Sequence, residues 1–151
     1  MYFTGGIGQE KLYRNIGNGQ FQDVSVQSGI AAMNLGETFG VISGDIDNDG
    51  YRDILVTTYW NSGTAVLRNQ GNGTFVLVPN ALNDVENWKT AASFADVNKD
   101  GFLDVYLTSY VFNSGVVFDG NNEIVGFDYD CNLNQLFINN GNLTFAEASS
   151  S

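Results

Sequence analysis

Histidine is absent from this chain, and cysteine occurs once, at Cys131. The first absence removes the commonest general base, the serine–histidine and cysteine–histidine nucleophile systems, and most zinc and copper sites. The second excludes an internal disulfide and leaves Cys131 as a buried thiol or a partner for another chain. Basic residues are few: Lys and Arg total 6 against 17 Asp and Glu, a formal net charge of −11. That balance excludes the basic footprint that nucleic acids require. No apolar run approaches the roughly 18 residues needed to cross a bilayer. The opening stretch MYFTGGIGQEKLYRN lacks the basic end and apolar core of a signal peptide. A phosphate-cradling glycine loop and a paired thiol are also missing, so the chain reads as a non-enzyme. Only a hydrolase built from carboxylates alone remains formally open.

Against these absences, hydrophobic residues make up 43% of 151 positions, enough for a real core. Glycine counts 18 and proline 1. Short runs of Val, Ile, Leu, Thr, Tyr and Phe alternate with Gly/Asn/Asp clusters, the pattern of short strands joined by tight turns. The one modest helical candidate, ALNDVENWK (81–89), reads as a loop.

Self-comparison shows repeats. Residues 1–21 align without a gap on residues 55–75, and the end of that element returns as LFINNGNLTF at 136–145. A second element occurs as GDIDNDGYRDILVTTY (44–59) and ADVNKDGFLDVYLTSY (95–110), with Asp45 and Asp96 51 positions apart. Each unit reads as strand, acidic loop, strand, turn, strand, Asn-Gly hairpin, strand. Asn18-Gly19 and Asn72-Gly73 supply the positive φ angles that such hairpins need. Leu143 takes the place of the second Gly in the third copy and predicts a different turn there. About 50 residues in four strands is the size of one propeller blade. The expected fold is therefore all-β, made of four-stranded antiparallel blades: a partial blade (1–37), a full blade (38–89) and a blade with an insert (90–151). From Gly101 to Asn139 is 38 residues where Gly50 to Asn69 is 19, which places the insert as a long loop at about 112–134.

The acidic loops are Asp45-Ile-Asp47-Asn-Asp49-Gly50-Tyr51-Arg-Asp53 and Asp96-Val-Asn98-Lys-Asp100-Gly101-Phe102-Leu-Asp104. Oxygen side chains stand at positions 1, 3, 5 and 9, with Gly at 6. Hard cations such as Ca²⁺ take about six to eight oxygens, and alternate residues of a tightly curled loop can aim theirs at one centre. The carbonyls of Tyr51 and Phe102 at position 7 would add a ligand each. Carboxylates this close repel one another without a cation. An EF-hand would need Glu at position 12 and a helix beyond. Here position 12 is Val56 or Leu107, and strand-like DILVTTY or DVYLTSY follows, so the Asp at position 9 closes the site. Two Ca²⁺ sites are expected.

The sequences GDIDNDGYRDILV and ADVNKDGFLDVYL resemble the FG-GAP/VCBS repeats of integrin-α-like propellers. LYRNIGNGQFQDVS, Tyr110, Cys131 and LFINNG resemble the cartilage-acidic-protein-like variety. The resemblance implies a multi-bladed propeller with Ca²⁺ in its blade loops and an extracellular or cell-surface setting. It implies a surface module for adhesion, assembly or structure, with a protein or glycan partner. A carbohydrate-binding lectin, or the propeller scaffold of a polysaccharide-modifying enzyme, is the competing reading, with Trp60 and Trp88 as sugar-stacking candidates or simple loop anchors. Some two and a half to three blades cannot close a ring of about four to eight. The repeat alignment puts the counterpart of Asp53 two positions before Met1. Further blades of a longer chain, or neighbouring subunits, are expected to complete the ring. Tyr13, Phe21, Phe75, Phe94, Phe137 and Phe145 read as packing between blades. Asn72-Gly-Thr74 and Asn142-Leu-Thr144 match the glycosylation acceptor pattern but coincide with the hairpins.

Overall fold

The computed structural model describes residues 1–6, 8–59, 63–84 and 88–149, with residues 111–114 and 131 described by their backbone only. Strands β1 (Tyr2–Phe3), β2 (Lys11–Gly17) and β3 (Gln20–Asp23) form a three-stranded antiparallel sheet. A single 3₁₀ turn at Ile30–Ala32 leads to β4 (Glu37–Gly44), β5 (Asp53–Tyr59), β6 (Ala65–Asn69) and β7 (Phe75–Val78), which pair in chain order as a four-stranded sheet. The second four-stranded sheet contains β8 (Lys89–Ala95), β9 (Asp104–Ser109), β12 (Gln135–Asn139) and β13 (Phe145–Glu147). Between β9 and β12 lie β10 (Val111–Phe118) and β11 (Ile124–Cys131), paired only with each other.

The core explains why these sheets stack. Alternate residues of a strand point to opposite faces. On β5, Leu55 enters one buried cluster while Ile54 and Val56 enter another, and β6 divides likewise between Val66 and Ala65/Leu67. The middle sheet is therefore buried on both faces. One face meets Val105, Leu107 and Phe137 of the following sheet; the other meets Leu12 and Tyr2 of the preceding one. Glycine allows the closest approach: a Cβ on Gly40 of β4 would come within 2.8 Å of the Thr90 carbonyl oxygen of β8. The four sheets pack together without forming a closed ring among the described residues. No helix among them is long and apolar enough to cross a membrane.

Two sequence expectations change. The 112–134 insert is a β-hairpin and not an irregular loop, because Val116, Val117 and Phe118 pair in register with Phe127, Gly126 and Ile124. Its turn is closed by Asp119, whose Oδ1 accepts the Asn121 and Glu123 amides and whose pKa those bonds lower. The third strand-to-strand hairpin does not differ from the second: Leu143 adopts φ 63°, the left-handed region held by Gly73 at φ 88°. Asn142 and Asn72 are both outside that region. Each accepts the backbone N–H and hydroxyl of the Thr two residues on, a local bond pattern that fixes the turn whatever residue stands between. The acceptor-like Asn-x-Thr triplets thus have a turn-forming use.

Of the aromatic residues expected in the core, Phe137 and Phe145 are buried, and Phe75 and Phe94 are partly buried against the two clusters. Phe21 is exposed, and Tyr13 packs edge-on to Phe3. In the 81–89 segment, Ala81 and Leu82 plug into the core, and Lys89 opens β8.

Lys89 is fully buried. Its Nζ donates to Ser109 Oγ at 3.0 Å and to Gln135 Oε1. Burial pushes its ammonium pKa down from the usual 10.5, against the pull of Asp84 and Glu147. The folded chain therefore releases this proton at a lower pH than the unfolded chain does. Between those two values the unfolded state binds more protons, so this group's contribution to stability grows as pH rises toward 10.5. Urea midpoints from pH 7 to 10 should rise more steeply for the parent than for Lys89→Met. Parallel profiles would show that Lys89 does not titrate in this way.

Candidate metal centre

Both acidic loops join the first and second strands of a four-stranded sheet, one between β4 and β5 and the other between β8 and β9. Their backbones are near copies. Position 4 is left-handed in each, Asn48 at φ 59° and Lys99 at φ 63°, and position 6 is Gly50 at φ 88° or Gly101 at φ 89°. The glycines take that conformation without the Cβ penalty that Lys99 carries.

The hydrogen bonds repeat as well. Asp45 Oδ1 and Oδ2 accept the amides of Asp49 (3.1 Å) and Gly50 (3.0 Å). Asp96 accepts those of Asp100 (3.1 Å) and Gly101 (2.9 Å). Position 5 accepts the amide of position 7, Tyr51 to Asp49 and Phe102 to Asp100, each at 2.9 Å. These bonds curl the chain so that alternate side-chain oxygens converge. In the first loop, carboxylate oxygens of Asp45, Asp47 and Asp49 lie within 4.8 Å of one another. Their all-oxygen chemistry suits a hard divalent cation. A positive charge is already drawn in: Arg68 on β6 reaches Asp47 Oδ2 at 2.7 Å and Asp49 Oδ2 at 3.2 Å. The Asp47 carboxylate holds that guanidinium still more firmly protonated. The trio therefore fits a cation, and a guanidinium stands in for part of its charge.

The second loop brings Asp96, Asn98 and Asp100 into the same frame with one carboxylate fewer. Asn98 Oδ1 accepts the Asp100 amide at 3.0 Å, and its Nδ2 donates to Asp100 Oδ2 at 2.8 Å. The position matching Arg68, one before the hairpin Asn, is Ile138.

The ninth-position residues have a second use. Asp53 is 0% exposed, and its oxygens accept the amides of Ile46 (3.0 Å) and Asn69 (2.8 Å). Asp104 is 1% exposed and accepts those of Val97 and Asn139, both at 2.9 Å. Each staples the start of its loop to the third strand of its sheet. Burial pushes the Asp53 carboxyl up, the two backbone bonds pull it down, and neighbouring Asp47 and Asp49 raise it further.

Several contacts escaped the sequence reading. Asn69 and Asn139 accept the amides of Gly71 and Gly141, and they donate to Arg52 O, or to Leu103 O and Ile46 O. The Ile46 contact, at 2.9 Å, and a 3.0 Å bond from Asn48 Nδ2 to Gly101 O tie one loop to the other. The aromatic residue at position 7 lies over the hairpin glycine: a Cβ on Gly71 would meet Tyr51 at 2.6 Å, and one on Gly141 would meet Phe102 at 2.9 Å. The recurring Asn-x-Gly of residues 15–17, 69–71 and 139–141 was the available signal. Trp88 stacks on Tyr59 (centroids 3.9 Å) and meets Tyr110 edge-on (5.5 Å), which anchors the connection it sits in. Trp60 lies outside the described residues, as does the Cys131 side chain.

A protein-family model described as FG-GAP-like repeat matches residues 2–56 and, overlapping them, residues 45–107. No curated protein matches the chain.

Proposed function

We propose, from the premise that this chain belongs to the FG-GAP-like repeat family, that it is a calcium-binding segment of a β-propeller working as an adhesion, assembly or structural module outside the cell. FG-GAP-type repeats are non-catalytic structural or adhesion modules, and nothing among the described residues suggests catalytic chemistry. The observation that carries the calcium reading is the convergence of the Asp45, Asp47 and Asp49 carboxylates within 4.8 Å, on a hydrogen-bond frame that the second loop repeats. Asp45, Asp47, Asp49, Asp53 and the Tyr51 carbonyl would serve one ion, and Asp96, Asn98, Asp100, Asp104 and the Phe102 carbonyl the other. Loops this short have little core of their own, and a bound ion would stiffen them.

The blade reading is supported by three sheets stacked face to face over two cores. On one outer face Met1, Phe3, Tyr13 and Phe21, with Lys11 among them, line a depression, and Tyr106 is exposed on the other. Further blades of a longer chain, or neighbouring subunits, would cover them. Nothing among the described residues favours the carbohydrate reading.

Calorimetric titration with Ca²⁺ should give two ions per chain, and Asp49→Ala should leave one. Absence of any uptake would end the calcium reading.

A further inference from the structure

Counting carboxylates alone makes the first loop the stronger calcium site, with Asp45, Asp47, Asp49 and Asp53 against Asp96, Asp100 and Asp104. The side chains around the loops reverse that order. Arg68 comes from β6, outside the first loop, and places its guanidinium against Asp47 and Asp49. A divalent ion held by those two carboxylates must either displace the guanidinium or share the carboxylates with it, and both weaken its binding. In the second loop the corresponding strand position holds Ile138, which carries no charge. The oxygen that Arg68 pairs with in the first loop, Oδ2 of position 5, is met in the second by the neutral amide of Asn98 at 2.8 Å. Each loop with its partner strand thus carries the same net charge: four carboxylates against Arg52 and Arg68, or three against Lys99. They differ in that the first must give up an existing ion pair.

We infer that Arg68 is a built-in counter-ion of the first loop, so that calcium fills the second loop first and the first loop only at higher concentration. The inference rests on the calcium reading above and adds to it an order of filling and the residue that sets it. Affinity in such loops follows ligand charge and site rigidity. Removing the guanidinium leaves a four-carboxylate loop with no competitor, so Arg68→Ile, which copies the third sheet, should turn the first loop into the tighter site. The arginine side chain is 40% exposed, so its replacement leaves both cores intact. Arg68→Gln removes the charge while keeping a polar head, and serves as a second variant should the isoleucine disturb β6.

The experiment is a calcium titration of the full chain and both variants, followed through the backbone amide resonances of Gly50 and Gly101, whose N–H groups donate to the first Asp of their own loops. In the unaltered chain Gly101 should move first. In both variants the Gly50 midpoint should fall about tenfold or more while the Gly101 midpoint stays in place. A Gly50 midpoint that does not fall in either variant, or that precedes Gly101 in the unaltered chain, overturns the inference. If Gly101 alone moves in all three proteins, this inference fails and calcium binding by the chain stands. If neither glycine moves in any of them, the calcium reading fails with it.

Discussion

Chelating calcium from the chain is expected to lower its thermal midpoint by about 10 °C or more. An ion that binds only the folded state adds about 2.7 kcal/mol per site when it is present at 100 times its dissociation constant. In a chain of about this length, 1 kcal/mol moves the midpoint by about 2–4 °C, so two filled sites give a shift of that size. The direction follows from the loops themselves. Asp45, Asp47 and Asp49 hold their oxygens within 4.8 Å of one another, and only one guanidinium offsets them. Magnesium should restore little of the loss, because its strict octahedral geometry and reluctance to shed water suit it poorly to a site made of loop carboxylates and a carbonyl. Scanning calorimetry with EDTA, with calcium and with magnesium measures this. Equal midpoints in EDTA and in excess calcium would contradict it.

Replacing Asp104 by alanine should cost about 3–5 kcal/mol, with or without calcium. Its carboxylate is 1% exposed and accepts two backbone amides, from Val97 and from Asn139. Truncation leaves both amides without that acceptor in a buried setting, at about 1–3 kcal/mol each. The loop end and β12 also lose the group that binds them together. Asp100 is the informative contrast. It is exposed, its bonds lie within the loop, and Asp100→Ala should weaken the chain mainly when calcium is present. Urea unfolding of both variants in EDTA separates a structural staple from a metal ligand. If Asp104→Ala unfolds at the parent's midpoint in EDTA, the staple account is wrong and position 9 matters only through the ion. Asp53 accepts the same pair of bonds in the first loop and should behave alike.

Much of this architecture could be read from local pattern. The unbroken apolar run Ile54-Leu55-Val56 fits a strand buried on both faces, because successive side chains point to opposite cores. The oxygen at every second position of the acidic loops, with glycine at the sixth, dictates the curl, since those side chains reach the amides of their own loop. Where the sequence reading went astray, it weighed one residue type too heavily. Leu143 suggested a different turn, yet Asn142 and Thr144 impose the same one by bonds that span only two residues. The insert lacked a matching repeat and read as a loop, yet its β-branched and aromatic residues pair with each other as a hairpin.

The sequence by itself determined the strands of the repeated units, the two acidic loops and the oxygens that each can offer, because all of these depend on contacts between residues close in the chain. Only the tertiary structure decided which groups arrive from elsewhere. Arg68 sits 19 positions beyond Asp49 and reaches it only because β6 pairs beside β5. Asn139 binds the Ile46 carbonyl across 93 positions because two sheets stack with their loops adjacent. Asp53 and Asp104 close their loops through amides on a third strand that no spacing within the loop reveals. Charge balance at a site is a sum over every group that packing brings near it, and packing is set by the whole core rather than by the motif.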